Sequence, residues 1–214
     1  MPLISRSFTL GPFETNAYLV HCPATQEAAV LDVGFDPGVV LREIRERALT
    51  VRYLLGTHAH YDHVAGMRAI QRAVGGVYWL HPDDTFLLAA LDVQGRTFGL
   101  PPAEAPDEIH PLSDGQNLSL GEETLTVIHT PGHSPGSVTF HWRDLLWVGD
   151  LLFAGSVGRT DLPGGSFEAL SHSVRDRLFP LGDRLRVLPG HGPETTLGEE
   201  RRNNPFVGEA AGLA

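Results

Sequence analysis

The chain holds 214 residues with 42% hydrophobic content, enough for one domain with a sizeable core. Its 26 acidic and 16 basic residues give a formal net charge of -10, which disfavours broad attraction to nucleic-acid phosphates or anionic lipid. The single cysteine, Cys22, excludes internal disulfides and thiolate-rich zinc sites, so any metal must be held by nitrogen and oxygen.

No apolar run approaches the roughly 20 residues that cross a bilayer, and the N-terminus lacks the pattern of a signal peptide. The expectation is a soluble, cytoplasmic protein with no nucleic-acid or membrane partner. Residues 3–10, 17–21 and 27–32 read as strands, after which Asp36-Pro37-Gly38 opens a helix with an N-cap acid and a proline at its first position. Its apolar face is Val40, Leu41, Ile44 and Ala48. Residues 51–56 read as a strand, a second helix runs from the segment after residue 63 to about Val74, a strand covers Val77 to Leu80, and Pro82 begins a helix through Leu91. The stretch from Gln94 to Pro111, with four prolines, reads as a surface loop that either shapes a substrate entrance or simply connects.

Strands recur at 116–120, 124–129, 137–142 and 145–148. A helix over 167–179 places Phe167, Leu170, Val174 and Leu178 on one face, and a last strand covers 185–188. Thr196 with Glu199 forms a capping box for a short final helix, ended by Asn203-Asn204-Pro205. One domain over residues 1–206 with a flexible tail at 207–214 is expected.

The chemistry concentrates in Thr57-His58-Ala59-His60-Tyr61-Asp62-His63, at a strand-to-helix turn. Side chains two apart share a face of extended chain, so His58 and His60 point together, while the turn swings Asp62 and His63 back toward them. Three more segments set a candidate ligand among glycines after an apolar run: Thr130-Pro131-Gly132-His133, Val148-Gly149-Asp150 and Leu188-Pro189-Gly190-His191. Glycine there permits the close backbone approach that a metal site at the mouth of a sheet needs. His58, His60 and His133 make one ligand set and Asp62, His63 and His191 a second, with Asp150 able to bridge them. Two divalent ions, zinc first with iron or manganese as alternatives, acidify a shared water and polarise a carbonyl, which implies hydrolysis.

Together with Thr15-Asn16-Ala17-Tyr18 and Gly158-Arg159-Thr160-Asp161, these motifs resemble, over nearly the whole chain, the metallo-β-lactamase superfamily, most of all its single-domain glyoxalase II-like branch of hydroxyacylglutathione hydrolases. The resemblance implies an α+β fold, a four-layer αββα sandwich with the metals at one edge between the sheets. It matches Asp32 to an acidic residue beneath the metals that orients a ligand histidine. The implied reaction is hydrolysis of S-lactoylglutathione or a related hydroxyacyl thioester by a metal-bridging hydroxide, with Asp62 binding metal and orienting the nucleophile. A thiolate leaves without strong protonation, which suits a sequence with no identifiable general acid. Arg159 is either a contact for a substrate carboxylate or the partner of Asp161 or a neighbouring carboxylate.

Departures from the pattern narrow the reading. Metallo-β-lactamases proper lack the aspartate at Asp150, and two-domain glyoxalase II enzymes carry a lysine and a tyrosine where Arg159-Thr160-Asp161 stands. The rival is a persulfide dioxygenase with one iron held at positions equivalent to His58, His133 and Asp150; Tyr61 and the Pro-Gly-His-Gly ending favour the hydrolase. His21, His81, His110, His129, His141 and His172 read as surface or satisfied structural histidines.

Overall fold

Strand alternation decides the architecture in the computed structural model, which describes residues 2–212. Strands β1 (Ile4–Leu10), β2 (Thr15–His21) and β3 (Glu27–Leu31) run antiparallel. Helix α1 (Pro37–Glu46) then crosses to β4 (Thr50–Leu55), α2 (Tyr61–Val64) and α3 (Met67–Val74) lead to β5 (Val77–Leu80), and α4 (Thr85–Ala89) and α5 (Leu91–Thr97) lead to β6 (Ile109–Pro111). These six strands pair in chain order, the last three pairings being parallel as such crossovers require.

The second sheet gathers β7 (Asn117–Leu120), β8 (Glu123–His129), β9 (Val138–Trp142) and β10 (Leu145–Gly149). A hairpin of β11 (Leu152–Phe153) and β12 (Ser156–Val157) and a helix α6 (Phe167–His172) follow. Next come β13 (Arg186–Pro189), β14 (Thr195–Thr196) and α7 (Leu197–Asn203), giving the sheet order β14-β13-β10-β9-β8-β7.

Both β2 and β10 are buried along their whole length because each covers two cores. In β2, Ala17 and Leu19 pack with Val40, Ile44 and Ile70 under the first helical layer, while Tyr18 and Val20 turn toward Val127 and Phe140 of the other sheet. In β10, Leu145 and Trp147 join that inter-sheet core, and Leu146 and Val148 meet Leu170, Val174 and Leu178 on the far side. The period-two pattern thus builds helix, sheet, sheet, helix, an αββα sandwich.

Several local readings are corrected. The helix after the histidine cluster is split: the Gly66 N–H bonds Val33 O, and a Cβ there would come within 2.8 Å of that oxygen. Pro82–Asp84 is a 3₁₀ turn, and the helix expected to end at Leu91 breaks at Ala90 and resumes through Thr97. Gly95, a poor helix former, lies inside α5, where a Cβ would strike the Tyr61 ring at 2.8 Å. Asp36 is left-handed (φ 46°) and its side chain does not cap α1, while Ala48 lies beyond that helix and is exposed.

Phe167 is exposed, although Leu170, Val174 and Leu178 are buried as expected, and the chain passes through a π-helical turn at Ser173–Leu178. Thr196 Oγ1 accepts from Glu199 N–H, but the Glu199 carboxylate accepts from Asn203 instead of closing the box. Val207, the first residue of the segment expected to fray, is buried, and its carbonyl accepts from Arg175; residues 213–214 lie outside the described residues. Among the described residues, no helix is long and apolar enough to cross a membrane.

Candidate metal centre

Five segments that follow strand ends meet at one edge of the two sheets: Asp32 after β3, residues 57–63 after β4, His133 after β8, Asp150 after β10 and His191 after β13. All seven side chains singled out as ligands come together there. His58, His60 and His133 present nitrogens within 4.8 Å of one another, and so do the donor atoms of Asp62, His63 and His191. His60 Nδ1 is 2.8 Å from His133 Nε2. His63 Nε2 lies 3.5 Å from Asp62 Oδ2, and His191 Nε2 lies 3.1 Å from the same oxygen. Asp150 stands between the groups, with Oδ1 3.3 Å from His63 and Oδ2 3.4 Å from His191 and 3.6 Å from His133.

Partners outside the cluster set which nitrogen each ring turns inward. His133 Nδ1 is 2.7 Å from Arg159 O and His191 Nδ1 is 2.9 Å from Phe13 O, so each ring donates there and turns Nε2 toward the centre. Asp32 lies under the cluster: Oδ2 is 3.2 Å from His63 Nδ1 and accepts from Thr57 Oγ1, while Oδ1 accepts from Thr57 N–H.

Sequence reasoning gave no role to three further residues that build the site. Thr15 Oγ1 donates to Asp62 Oδ2 at 3.0 Å. Asn16 Nδ2 donates to Pro189 O and Gly192 O, and Tyr18 OH to Pro189 O, clamping the loop that carries His191. The motif Thr15-Asn16-Ala17-Tyr18 was the available signal.

Asp84 left no such signal; its place after Pro82-Asp83 reads only as a helix start. It is fully buried, where Oδ2 accepts from Ala59 N–H and Ser134 Oγ and Oδ1 accepts from Gly136 N–H. One carboxylate thereby joins the loop of His58 and His60 to the loop of His133. Burial pushes its carboxyl above the usual range, against the pull of those donors.

The donor set fits metal. His58 Nε2 is buried without a hydrogen-bond partner, a costly state that coordination would relieve, and the buried His63 Nε2 and Asp150 Oδ1 face each other at 3.3 Å without forming a regular hydrogen bond. Burial, reinforced by neighbouring histidines, holds the His58 imidazole well below its ordinary pKa and pushes His60 down to about 3, so these rings are neutral and ligand-ready. In the second group burial is outweighed. The Asp150 and Asp62 carboxylates hold His63 well above its ordinary value and His191 up to about 10, and the imidazoliums in turn hold Asp150 well below the carboxylate range. The backbone approaches closely as well: a Cβ on Gly190 would stand 2.1 Å from Asp150 Oδ1.

A cavity of about 510 Å³ opens above the cluster, reached by His60, Asp62, His133, Asp150 and His191. Its wall includes Gln94, Thr97 and Phe98, so the stretch from Gln94 does shape the entrance. Arg159 lines it too, but its Nε and Nη2 donate to the two Asp161 oxygens at 2.7 Å each. Of the remaining histidines, His81 and His129 stack at 4.0 Å and His172 pairs with Asp176 at 2.7 Å. His21 departs from the expectation of a satisfied ring, being buried with neither nitrogen partnered.

Residues 10–191 match the family described as the metallo-beta-lactamase superfamily. The chain is 37% identical over 200 residues to hydroxyacylglutathione hydrolase GloC of Haemophilus influenzae, covering 91% of this chain and 93% of that protein. The fold is similar to that of TTHA1623 in a di-iron-bound form, at 41% identity and a TM-score of 0.86, covering 94% and 99% of the two chains. It is also similar to BLEG-1, a B3 metallo-beta-lactamase, at 37% identity and a TM-score of 0.87, covering 95% and 99%.

Proposed function

The chain belongs to the metallo-β-lactamase superfamily and is a metallo-hydrolase, and from that premise we propose that it cleaves a thioester, S-lactoylglutathione or a related hydroxyacyl thioester. His58, His60 and His133 would hold one divalent ion and Asp62, His63 and His191 a second, with Asp150 shared; zinc is the first candidate, and the di-iron form of TTHA1623 keeps iron beside it. Bound there, the ions would supply an acidified water and a positive charge for the substrate carbonyl oxygen.

The chain's own groups shape the rest. Asp62 Oδ2, fixed by the Thr15 hydroxyl, orients the attacking water at the cavity floor. Asp32 and the Arg159 and Phe13 carbonyls keep the rings of His63, His133 and His191 in one orientation through the reaction.

One observation carries the choice of a thioester. Above the cluster, no lining side chain among the described residues is placed to protonate a leaving group. Tyr61 OH donates to Pro101 O, Thr97 Oγ1 donates to Val93 O, and the Arg159 fork is taken by Asp161. An amine would need such an acid, whereas a thiolate, with an intrinsic pKa of about 8.5, departs without one.

The test combines metal analysis with assays of S-lactoylglutathione hydrolysis, oxygen consumption with glutathione persulfide, and β-lactam opening, the last prompted by the likeness to BLEG-1. Thioester cleavage with two metals per chain is expected. One iron per chain with sulfite formation, or β-lactam turnover, and no thioester cleavage in either case, would overturn the reading.

A further inference from the structure

The cavity above the cluster is walled by apolar side chains that the fold itself leaves uncovered. Phe13, Phe86, Val93 and Phe98 line it and remain 39, 45, 54 and 49% exposed. They come from the β1–β2 turn, from α4, from α5 and from the residue after α5, and Leu162 and Pro163 join them from the segment after Asp161. Phe13 and Phe98 meet edge to face at 5.9 Å, and Phe13 meets Phe35 likewise at 6.0 Å, so the surface is packed in advance of any ligand. A contiguous apolar surface left open beside a reaction centre marks what binds there.

The polar groups of the same wall are already committed. Gln94 Oε1 accepts from Tyr61 N–H and its Nε2 donates to Ala59 O and Leu87 O. The Thr97 hydroxyl is tied to Val93 O, and Arg159, the one guanidinium among the described lining residues, is paired with Asp161. Little remains on this wall to recognise the two carboxylates and the ammonium of a glutathione moiety. Much remains to cover hydrocarbon.

We propose that the substrate is a thioester bearing an extended apolar substituent, alkyl or aryl, on its carbonyl or its sulfur, seated against Phe13, Phe86, Val93 and Phe98. This rests on the thioesterase reading above and narrows it, favouring an apolar thioester over S-lactoylglutathione within that class. Burying a methylene against such a wall is worth about a threefold to fourfold gain in binding.

Two kinetic arms separate the two positions of the substituent. Acyl chains from acetyl to octanoyl on N-acetylcysteamine vary the carbonyl side, and acetyl thioesters of N-acetylcysteamine, glutathione and octanethiol vary the sulfur side. A binding arm measures the dissociation constants of S-methyl, S-hexyl and S-octyl thioethers of N-acetylcysteamine, which cannot be hydrolysed, with metal-loaded and metal-free protein. The expected result is a rise in kcat/KM of about threefold per methylene in at least one arm before it levels off, matched by tightening of the thioethers in both metal states. V93D and F98S should each flatten that dependence, with circular dichroism confirming that each variant is folded.

Hydrolysis that is indifferent to chain length in both arms, with thioethers that do not tighten, overturns the inference and leaves the thioesterase reading standing. Thioethers that tighten with length while no thioester is cleaved uphold the apolar wall and overturn the thioesterase reading instead.

Discussion

Replacing Asp84 by asparagine keeps the size of the side chain and removes one acceptor from a buried junction of three donors. With the amide oxygen placed where Oδ2 stands, Ala59 N–H and Ser134 Oγ keep a neutral acceptor, and the new NH₂ faces the Gly136 N–H across 2.6 Å. Two charge-assisted bonds weaken by about 1 kcal/mol each and one buried N–H loses its partner at about 1–3 kcal/mol, a total of roughly 3–5 kcal/mol. For a domain of this length that lowers the melting temperature by about 10 °C. Because Ala59 lies between His58 and His60 and Ser134 follows His133, the same change loosens one ligand set, and its metal affinity should fall by about 10–100-fold. Thermal unfolding and a titration against a chromophoric chelator read the two effects. A D84N protein that melts within about 2 °C of the parent and binds metal equally well would refute the idea that this carboxylate holds the two loops together.

Alanine at Gly190 brings a Cβ to 2.1 Å from Asp150 Oδ1 and 2.7 Å from His63 Cε1, so G190A should lose metal at the Asp62, His63 and His191 set while its far-ultraviolet circular dichroism is retained; parent-like metal content counts against this. Chelation should lower the melting temperature of the loaded protein, since ligand binding to the folded state adds stability, and zinc or iron should restore it; a temperature unchanged by chelation argues against a site in this cluster. His21 predicts a pH effect. Burial and the Arg47 charge lower its pKa in the folded state, so the unfolded chain binds the proton first and stability falls as pH drops through about 6.5. H21L should therefore lose less stability than the parent between about pH 7.5 and 5.5, by at most about 1.4 kcal/mol, as read from urea unfolding at both values; identical losses would show that His21 is free to protonate in place.

Much of the fold was legible because its signals are local. Alternation in β2 and β10 and the apolar stripe of Leu170, Val174 and Leu178 are short-range patterns that name which faces need covering. Where tertiary packing overrides propensity, the local signal misleads. Gly95 weakens a helix in sequence terms but is the residue that lets α5 close against Tyr61, and Gly66 splits a continuous periodicity because the Val33 carbonyl stands beside it. Strands of two or three residues such as β6, β11, β12 and β14 are too short for a period to show.

The candidate ligands were readable one by one, since imidazoles and carboxylates beside glycines at strand ends point to coordination chemistry whatever surrounds them. Their arrangement was a matter of tertiary structure alone. Asp84 and Thr15 act on groups 25 and 47 residues away in the chain, and no local pattern encodes a bond between loops that meet only when two sheets stack. The apolar wall is likewise a property of the folded surface. Phe13, Phe86, Val93 and Phe98 are ordinary hydrophobic residues in the sequence, and it is their being left exposed together around one cavity that gives them a meaning. Residue chemistry and periodicity determined which atoms could take part; the distances between those atoms, and the space above them, were decided by the packing of the layers.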